Sequence, residues 1–203
     1  MLKSQHLGFY KHDYLPHYDQ AGLIQFVTFV LDDAAPRERL RTGMRMSNQD
    51  GERMFFRIDA DLDRNRGSCL LARNEIGNVV AEEISQLGEQ LIAWVVMPNH
   101  VHLLFRQPEG EMLGKTIQRI KSRSSMIINR SLGREGKLWQ AGYFDRCMRD
   151  LEHVQNTIEY IHYNPVKAGL AITQLNWELS SARTFCVARA MEIIARTFHT
   201  ESE

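Results

Sequence analysis

Two histidines one residue apart, His100 and His102, follow Pro98-Asn99 in the apolar segment Ala93-Trp-Val-Val-Met-Pro-Asn-His-Val-His-Leu-Leu-Phe105. Residues i and i+2 of a strand share a face, so an extended backbone here aims both imidazoles the same way. Two neutral imidazoles so placed suit neighbouring positions on one metal ion. Further along, Tyr160-Ile-His-Tyr-Asn164-Pro puts a phenol and an amide at i and i+4, on one face of a helix. A phenol is a nucleophile, and an amide oxygen is a hard metal ligand. Two histidines and one oxygen leave coordination positions open, as a catalytic site requires. A divalent ion held there polarises a phosphoryl oxygen. Attack by the phenol on a phosphodiester leaves a covalent phosphotyrosine, and the retained bond energy permits rejoining without ATP. A tyrosine, with its pKa near ~10, needs a neighbouring cation or a water-mediated base for this work.

Each part has a structural reading when taken alone. A His-x-His pair serves buried polar networks, and a Tyr ahead of Asn-Pro packs a helix end. Tyr163 competes with Tyr160 as nucleophile, since it can share part of the same helix face. His162 points away from Tyr160 and reads as packing or solvent-facing. His153, two turns earlier on nearly the same face, reads as structural. Trp94, Trp139 and Trp177 read as core or interface.

The elements that position these groups follow from the pattern. Residues 24–31 (Ile-Gln-Phe-Val-Thr-Phe-Val-Leu) are β-branched and aromatic, a buried first strand. Helical spacing of Leu70, Ile76, Val79, Val80, Ile84 and Leu87 predicts a helix within 70–88. Strands over 91–97 and 100–106 flank the Pro98-Asn99 turn, which makes a hairpin. Residues 112–129 form an amphipathic helix with Leu113, Ile117, Ile120, Ser124 and Ile127/Ile128 inward and Lys115, Arg119 and Arg123 on another side. Residues 143–149 suit a fourth strand, and a helix runs from Asp150 as N-cap to about Asn164-Pro165. The order is β-α-β-β-α-β plus a helix. It predicts an α+β fold of the ferredoxin-like, split βαβ kind: an antiparallel sheet with helices on one face and an additional C-terminal helix carrying the tyrosine.

The whole chain, residues 1–203, reads as a single domain. Residues 1–20, polar and rich in His and Tyr, read as an extended N-terminal arm. Residues 32–66 form a charged insertion, with eight acids and eight arginines between Asp32 and Arg66. Residues 171–203 are a C-terminal tail with an Ala/Arg-rich helix around 182–198. Hydrophobic content of 43% and charged content of 25% fit a soluble globular protein. No apolar run is long enough to cross a membrane, and the N-terminus shows no secretory pattern. Cys69, Cys147 and Cys186 form no paired framework and read as buried reduced thiols of a cytosolic protein. Net charge is zero, but residues 106–149 hold ten Lys/Arg against four acids, a local excess of +6. Such a basic segment can bind phosphates while the whole protein stays neutral.

With these words in view the chain resembles the REP-associated tyrosine transposases, single-tyrosine transposases of the HUH endonuclease superfamily. The resemblance rests on Pro16-His-Tyr, Phe26-Val-Thr-Phe, Ala93-Trp-Val-Val-Met-Pro-Asn-His-Val-His, Ile120-Lys-Ser, Leu138-Trp-Gln, Tyr143-Phe-Asp-Arg and Tyr160-Ile-His-Tyr-Asn-Pro-Val-Lys-Ala-Gly-Leu, in family order. It implies Mg2+ or Mn2+ held by His100, His102 and Asn164, where related transposases often carry Gln. It implies Tyr160 as nucleophile, forming a 5′-phosphotyrosine. It also implies a single-stranded DNA partner folded as imperfect hairpins, a bacterial, cytoplasmic, nucleoid-associated setting, and a monomer or homodimer. Lys115, Arg119, Lys121 and Arg123 would then meet phosphates. Tyr14 and His17, with Tyr10 and Tyr18, would stack on unpaired bases. A catalytically inactive hairpin-binding protein and a water-using metallophosphohydrolase are the competing readings.

Overall fold

The computed structural model describes residues 8–12, 15–34 and 60–198. Its centre is an antiparallel sheet of four strands: β3 (Ile24–Val30), β4 (Leu91–Val96), β5 (His100–Arg106) and β6 (Phe144–Cys147), ordered β4-β5-β3-β6. Helix α1 (Asn74–Ser85) joins β3 to β4, and α2 (Leu113–Ser131) joins β5 to β6. The first and third strands of this chain order are therefore central and adjacent. That is the ferredoxin-like, split βαβ topology the pattern predicts.

Alternation along the strands builds two cores. Val27, Phe29, Val101, Leu103 and Phe105 pack with α1 and α2 on one face. Ile24, Phe26 and Leu104 pack with α3 (Leu151–Lys167) and α4 (Val187–Phe198) on the other. The second face is thus covered by two helices rather than by the tyrosine helix alone. Burial of the alternating residues on both faces explains why β3 reads as a continuous apolar run rather than a half-polar strand.

Three departures from expectation bear on the site. Residues 8–12 and 15–19 pair antiparallel as strands β1 and β2, so the arm is a hairpin rather than an irregular extension. Asp19 at its end is fully buried and accepts from the Leu113 backbone N–H and from Gln107, which anchors the hairpin to the N-terminus of α2. Helix α3 runs through Pro165 to Lys167 instead of stopping at Asn164. Proline in the last turn forfeits one backbone bond and little else. The end is then closed by Gly169 at φ 70°, with Gly169 N–H donating to Val166 O (3.0 Å) and Leu170 N–H to Pro165 O (2.8 Å). The thiols also differ from the buried reading: Cys186 is exposed, and Cys69 and Cys147 are half-buried. Burial and the Asp145 charge push Cys147 up to about 11.

The edge at β4 is sealed by the chain after α3. Val96 N–H donates to Leu179 O (2.8 Å), and Trp94 N–H donates to Ser181 Oγ (2.9 Å). Ser181 Oγ also meets His162 Nε2 at 2.9 Å, so the sealed edge and α3 share one hydrogen-bonded group. His162 is buried, and desolvation pulls it down to about 4. No helix among the described residues is long and apolar enough to cross a membrane.

Candidate metal and nucleophile site

Met97 N–H donates to His100 O (2.9 Å), closing the two-residue Pro98-Asn99 turn at the start of β5. The strand then points His100 and His102 to the face covered by α3. Both imidazoles are fully buried, and their Nε2 atoms lie 3.1 Å apart.

Neighbours decide which nitrogen of His100 carries the proton. Asn99 donates its amide N–H groups to Leu62 O (3.2 Å) and Arg66 O (3.0 Å), which fixes the orientation of that amide. Its Oδ1 therefore faces His100 Nδ1 at 2.7 Å and accepts from it. His100 Nε2 is left with a lone pair directed at His102. On the other ring, Thr28 Oγ1 lies 2.8 Å from His102 Nδ1. A hydroxyl can donate or accept, so Thr28 serves both tautomers of His102. With His102 Nδ1 protonated, the two Nε2 lone pairs converge, an arrangement that calls for a cation between them.

Helix α3 brings the oxygen. Asn164 is 1% exposed, its Nδ2 lies 3.5 Å from His102 Nε2, and its Oδ1 is buried without a hydrogen-bond partner. An orphaned amide oxygen costs on the order of 1–3 kcal/mol. Half a turn of the amide directs that oxygen at His102 Nε2, where a cation would satisfy it. His100, His102 and Asn164 thus fit a divalent ion. Among the described residues there is no cluster of three or more His, Cys, Asp or Glu that could hold one. The set needs the amide to reach three donors.

Tyr160 lies over this group. Its ring is 5.5 Å from that of His102 and 6.1 Å from Phe26, at 89° to the latter. Phe26 in turn stacks on His102 at 5.5 Å and 27°. Half-buried Tyr160 is the member of the group that solvent reaches, whereas the histidines below it are closed off. Tyr163, by contrast, is 54% exposed. Lys167 Nζ sits 5.4 Å from the Tyr160 ring centroid and 3.1 Å from Asp63 Oδ2. Sequence reading did not single out Lys167, Asp63, Thr28 or the Asn99 side chain. Lys167 could have been found had α3 been carried past Pro165. Asp63 could not, because only tertiary packing brings residues 62–66 beside the turn.

The remaining expected residues lie elsewhere. Lys115, Arg119, Lys121 and Arg123 are on α2, across the sheet from the histidines. Arg119 pairs with Glu111 (3.0 Å) and Arg123 with the buried Glu83 (2.8 Å). Lys121 donates to Gln140 O and Gly142 O, each at 2.6 Å, and burial pulls it down to about 8. Lys115 is exposed. His153 is in the first turn of α3, where its backbone N–H donates to the Asp150 carboxylate at 2.7 Å, as a helix cap. Tyr14 lies outside the described residues, and of His17 and Tyr10 only the backbone is described.

Residues 64–164 match the family model described as IS200-like transposase. Over that stretch, just under half of the chain, the sequence is similar to this transposase family. His100, His102, Tyr160 and Asn164 all fall inside the matched residues. The chain is 28% identical over 137 residues to a Haemophilus influenzae protein provisionally named a REP-associated tyrosine transposase. That alignment covers 63% of this chain and 77% of the relative. A REP-associated tyrosine transposase of Escherichia coli is 27% identical over 134 residues, covering 64% and 76%. Among solved structures, the REP-associated tyrosine transposase bound to a REP hairpin superposes with a TM-score of 0.55 at 19% identity. It covers 88% of this chain and 84% of its own. At that identity the likeness speaks to the fold.

Proposed function

We propose that this protein is a metal-dependent single-stranded DNA endonuclease and strand transferase that acts on hairpin DNA through a 5′-phosphotyrosine at Tyr160. The observation that carries the reading is convergence. Two histidines with opposed Nε2 atoms, an orphaned amide oxygen and a solvent-reachable phenol come together from β5 and α3. Hairpin DNA as substrate follows from the likeness to REP-associated transposases and from the hairpin-bound relative.

Tyr160 Oη attacks the phosphorus, the P–O3′ bond breaks, and the strand upstream leaves with a free 3′-hydroxyl that takes up a proton. The phenol gives up its own proton in forming the ester. Reversal by a different 3′-hydroxyl joins strands and returns Tyr160. Lys167, beside the phenol, favours negative charge developing on its oxygen. Phe26 and His102 hold the ring in place. His100, His102 and Asn164 would hold a divalent ion, which would supply Lewis-acid polarisation of the scissile phosphate. Thr28 and Asn99 orient the two imidazoles for it.

The test is cleavage of a hairpin oligonucleotide with Mg2+ or Mn2+ by the parent, Tyr160→Phe and His102→Ala. Both variants should lose cleavage. Turnover that survives Tyr160→Phe and disappears with His102→Ala would instead identify a hydrolase that uses water.

A further inference from the structure

Residues 61–67 lie against both halves of the site. The carbonyls of Leu62 and Arg66 accept from Asn99 Nδ2 (3.2 and 3.0 Å), and the oxygen of that same amide orients His100. Asp63, next to Leu62, meets Lys167 Nζ through Oδ2 at 3.1 Å. That ammonium sits 5.4 Å from the centre of the Tyr160 ring. Asp61, the other carboxylate of this segment, pairs locally with Arg64 (3.2 Å). Asp63 is thus the acid that the fold aims at the nucleophile.

The segment that carries Asp63 is fastened on three sides. Leu62 is buried in the core that the sheet shares with α1 and α2. Asn99 grips the two carbonyls, and Ser68 N–H donates to Asp33 Oδ2 (2.8 Å), just beyond β3. Gly67, at φ 86°, leaves no room for a side chain, since a Cβ would lie 2.6 Å from Asp33 O. The lysine has no such anchorage from its own helix. Lys167 follows Tyr160 by two turns on the same face of α3, and a helical side chain leans back toward the N-terminus. At a helix end, however, a flexible lysine is also drawn to the last carbonyls and to water. Asp63 is 11% exposed and Lys167 41%, so the fixed partner selects the conformation of the mobile one.

We propose that Asp63 is a positioning residue for the nucleophile, holding Lys167 at Tyr160, an inference that rests on the functional reading above. A carboxylate by itself opposes negative charge developing on the phenolic oxygen. Its benefit comes from the place it gives the ammonium. Removing Asp63 therefore slows the attack only while Lys167 is present. Leu62 and Asp63 divide the work between neighbours: the backbone of one supports the metal-site turn, and the side chain of the other supports the phenol. Loss of the Asp63 side chain belongs to the chemical step and leaves metal and DNA binding in place.

The experiment is a mutant cycle read by single-turnover formation of the tyrosine–DNA adduct, at saturating hairpin oligonucleotide and Mn2+. Asp63→Ala should slow the adduct about tenfold, and Asp63→Asn, which keeps the shape and one acceptor, should fall between it and the parent. Lys167→Met/Asp63→Ala should be no slower than Lys167→Met, to within about twofold. Mn2+ affinity by calorimetry, and hairpin affinity by fluorescence anisotropy in the Tyr160→Phe background, should stay within about twofold for both Asp63 variants. Thermal denaturation with chelator checks the fold, and if Asp63→Ala does not fold, Asp63→Asn carries the same comparisons. A parental or faster rate in the Asp63 variants overturns the proposal and leaves Tyr160 as nucleophile. So does a further tenfold slowing in the Lys167→Met background, or a loss confined to Mn2+ or hairpin affinity. Absence of any adduct with the parent overturns the functional reading and the proposal together.

Discussion

Replacing Asn99 probes the coupling between the charged insertion and the proposed metal site. Its side chain is fully buried and makes three bonds: two donated to Leu62 O and Arg66 O, and one accepted from His100 Nδ1. Asn99→Leu keeps the branched shape, though it is bulkier, and strands two carbonyls and one imidazole N–H. At about 1–3 kcal/mol for each buried polar group left unpaired, with some relaxation, the loss is on the order of 3–5 kcal/mol. In a chain of this size that lowers Tm by roughly 10 °C. The freed His100 ring also loses its fixed tautomer, so divalent-metal affinity should drop about 10–100-fold. Asn99→Asp separates the two effects, since it keeps the acceptor for His100 but cannot donate to Leu62 or Arg66. It should lose stability yet hold metal at least as tightly as the parent. Thermal denaturation with chelator present gives the first quantity, and calorimetric titration with Mn2+ gives the second. If Asn99→Leu binds Mn2+ like the parent, the orientation argument for His100 is wrong.

Other substitutions test neighbouring links. Thr28→Val preserves shape but removes the hydroxyl on His102 Nδ1, and should weaken Mn2+ binding about tenfold by the same titration. Lys167→Met should slow tyrosine–DNA adduct formation about tenfold in a single-turnover assay, with Lys167→Arg retaining most of the rate. A parental rate in Lys167→Met would remove that lysine from the account. His162, held near 4 against an ordinary 6.5, is neutral when folded and protonates first in the unfolded chain. Its contribution is therefore complete above pH 6.5 and falls by about 3 kcal/mol as pH drops to 4. The stability difference between parent and His162→Gln, measured by urea unfolding with chelator, should narrow over that window, and a flat difference would refute it. Gly77→Ala places a Cβ 2.8 Å from Leu71 O and against Leu179 Cδ1, and should cost about 1–3 kcal/mol in the same assay.

The legible part of this molecule was what short spacing encodes. Alternation gave His100 and His102 one face, the i, i+4 relation put Tyr160 with Asn164, and apolar periods ordered the strands and helices. Tyr163 competes with Tyr160 in the sequence; in the structure it is 54% exposed, whereas the Tyr160 ring lies beside that of His102. The end of α3 was hidden because Pro165 is a stop signal only where a lost backbone bond matters, and here Gly169 closes the helix two turns beyond Tyr160. Basic charge was visible on α2, but its destination was not. Arg119 and Arg123 are taken up by Glu111 and Glu83, a pairing across elements that sequence distance does not reveal. The role of Asp63 emerges for the same reason, from an insertion whose charge pattern carries no address.

The most direct measurement is peptide mapping of the covalent product. The protein is incubated with Mn2+ and a hairpin oligonucleotide, digested, and the nucleotide-bearing peptide sequenced by mass spectrometry. The account requires the 5′-phosphate on Tyr160, with the adduct absent in Tyr160→Phe and retained in Tyr163→Phe. An adduct on Tyr163, or one that persists in Tyr160→Phe, would contradict it.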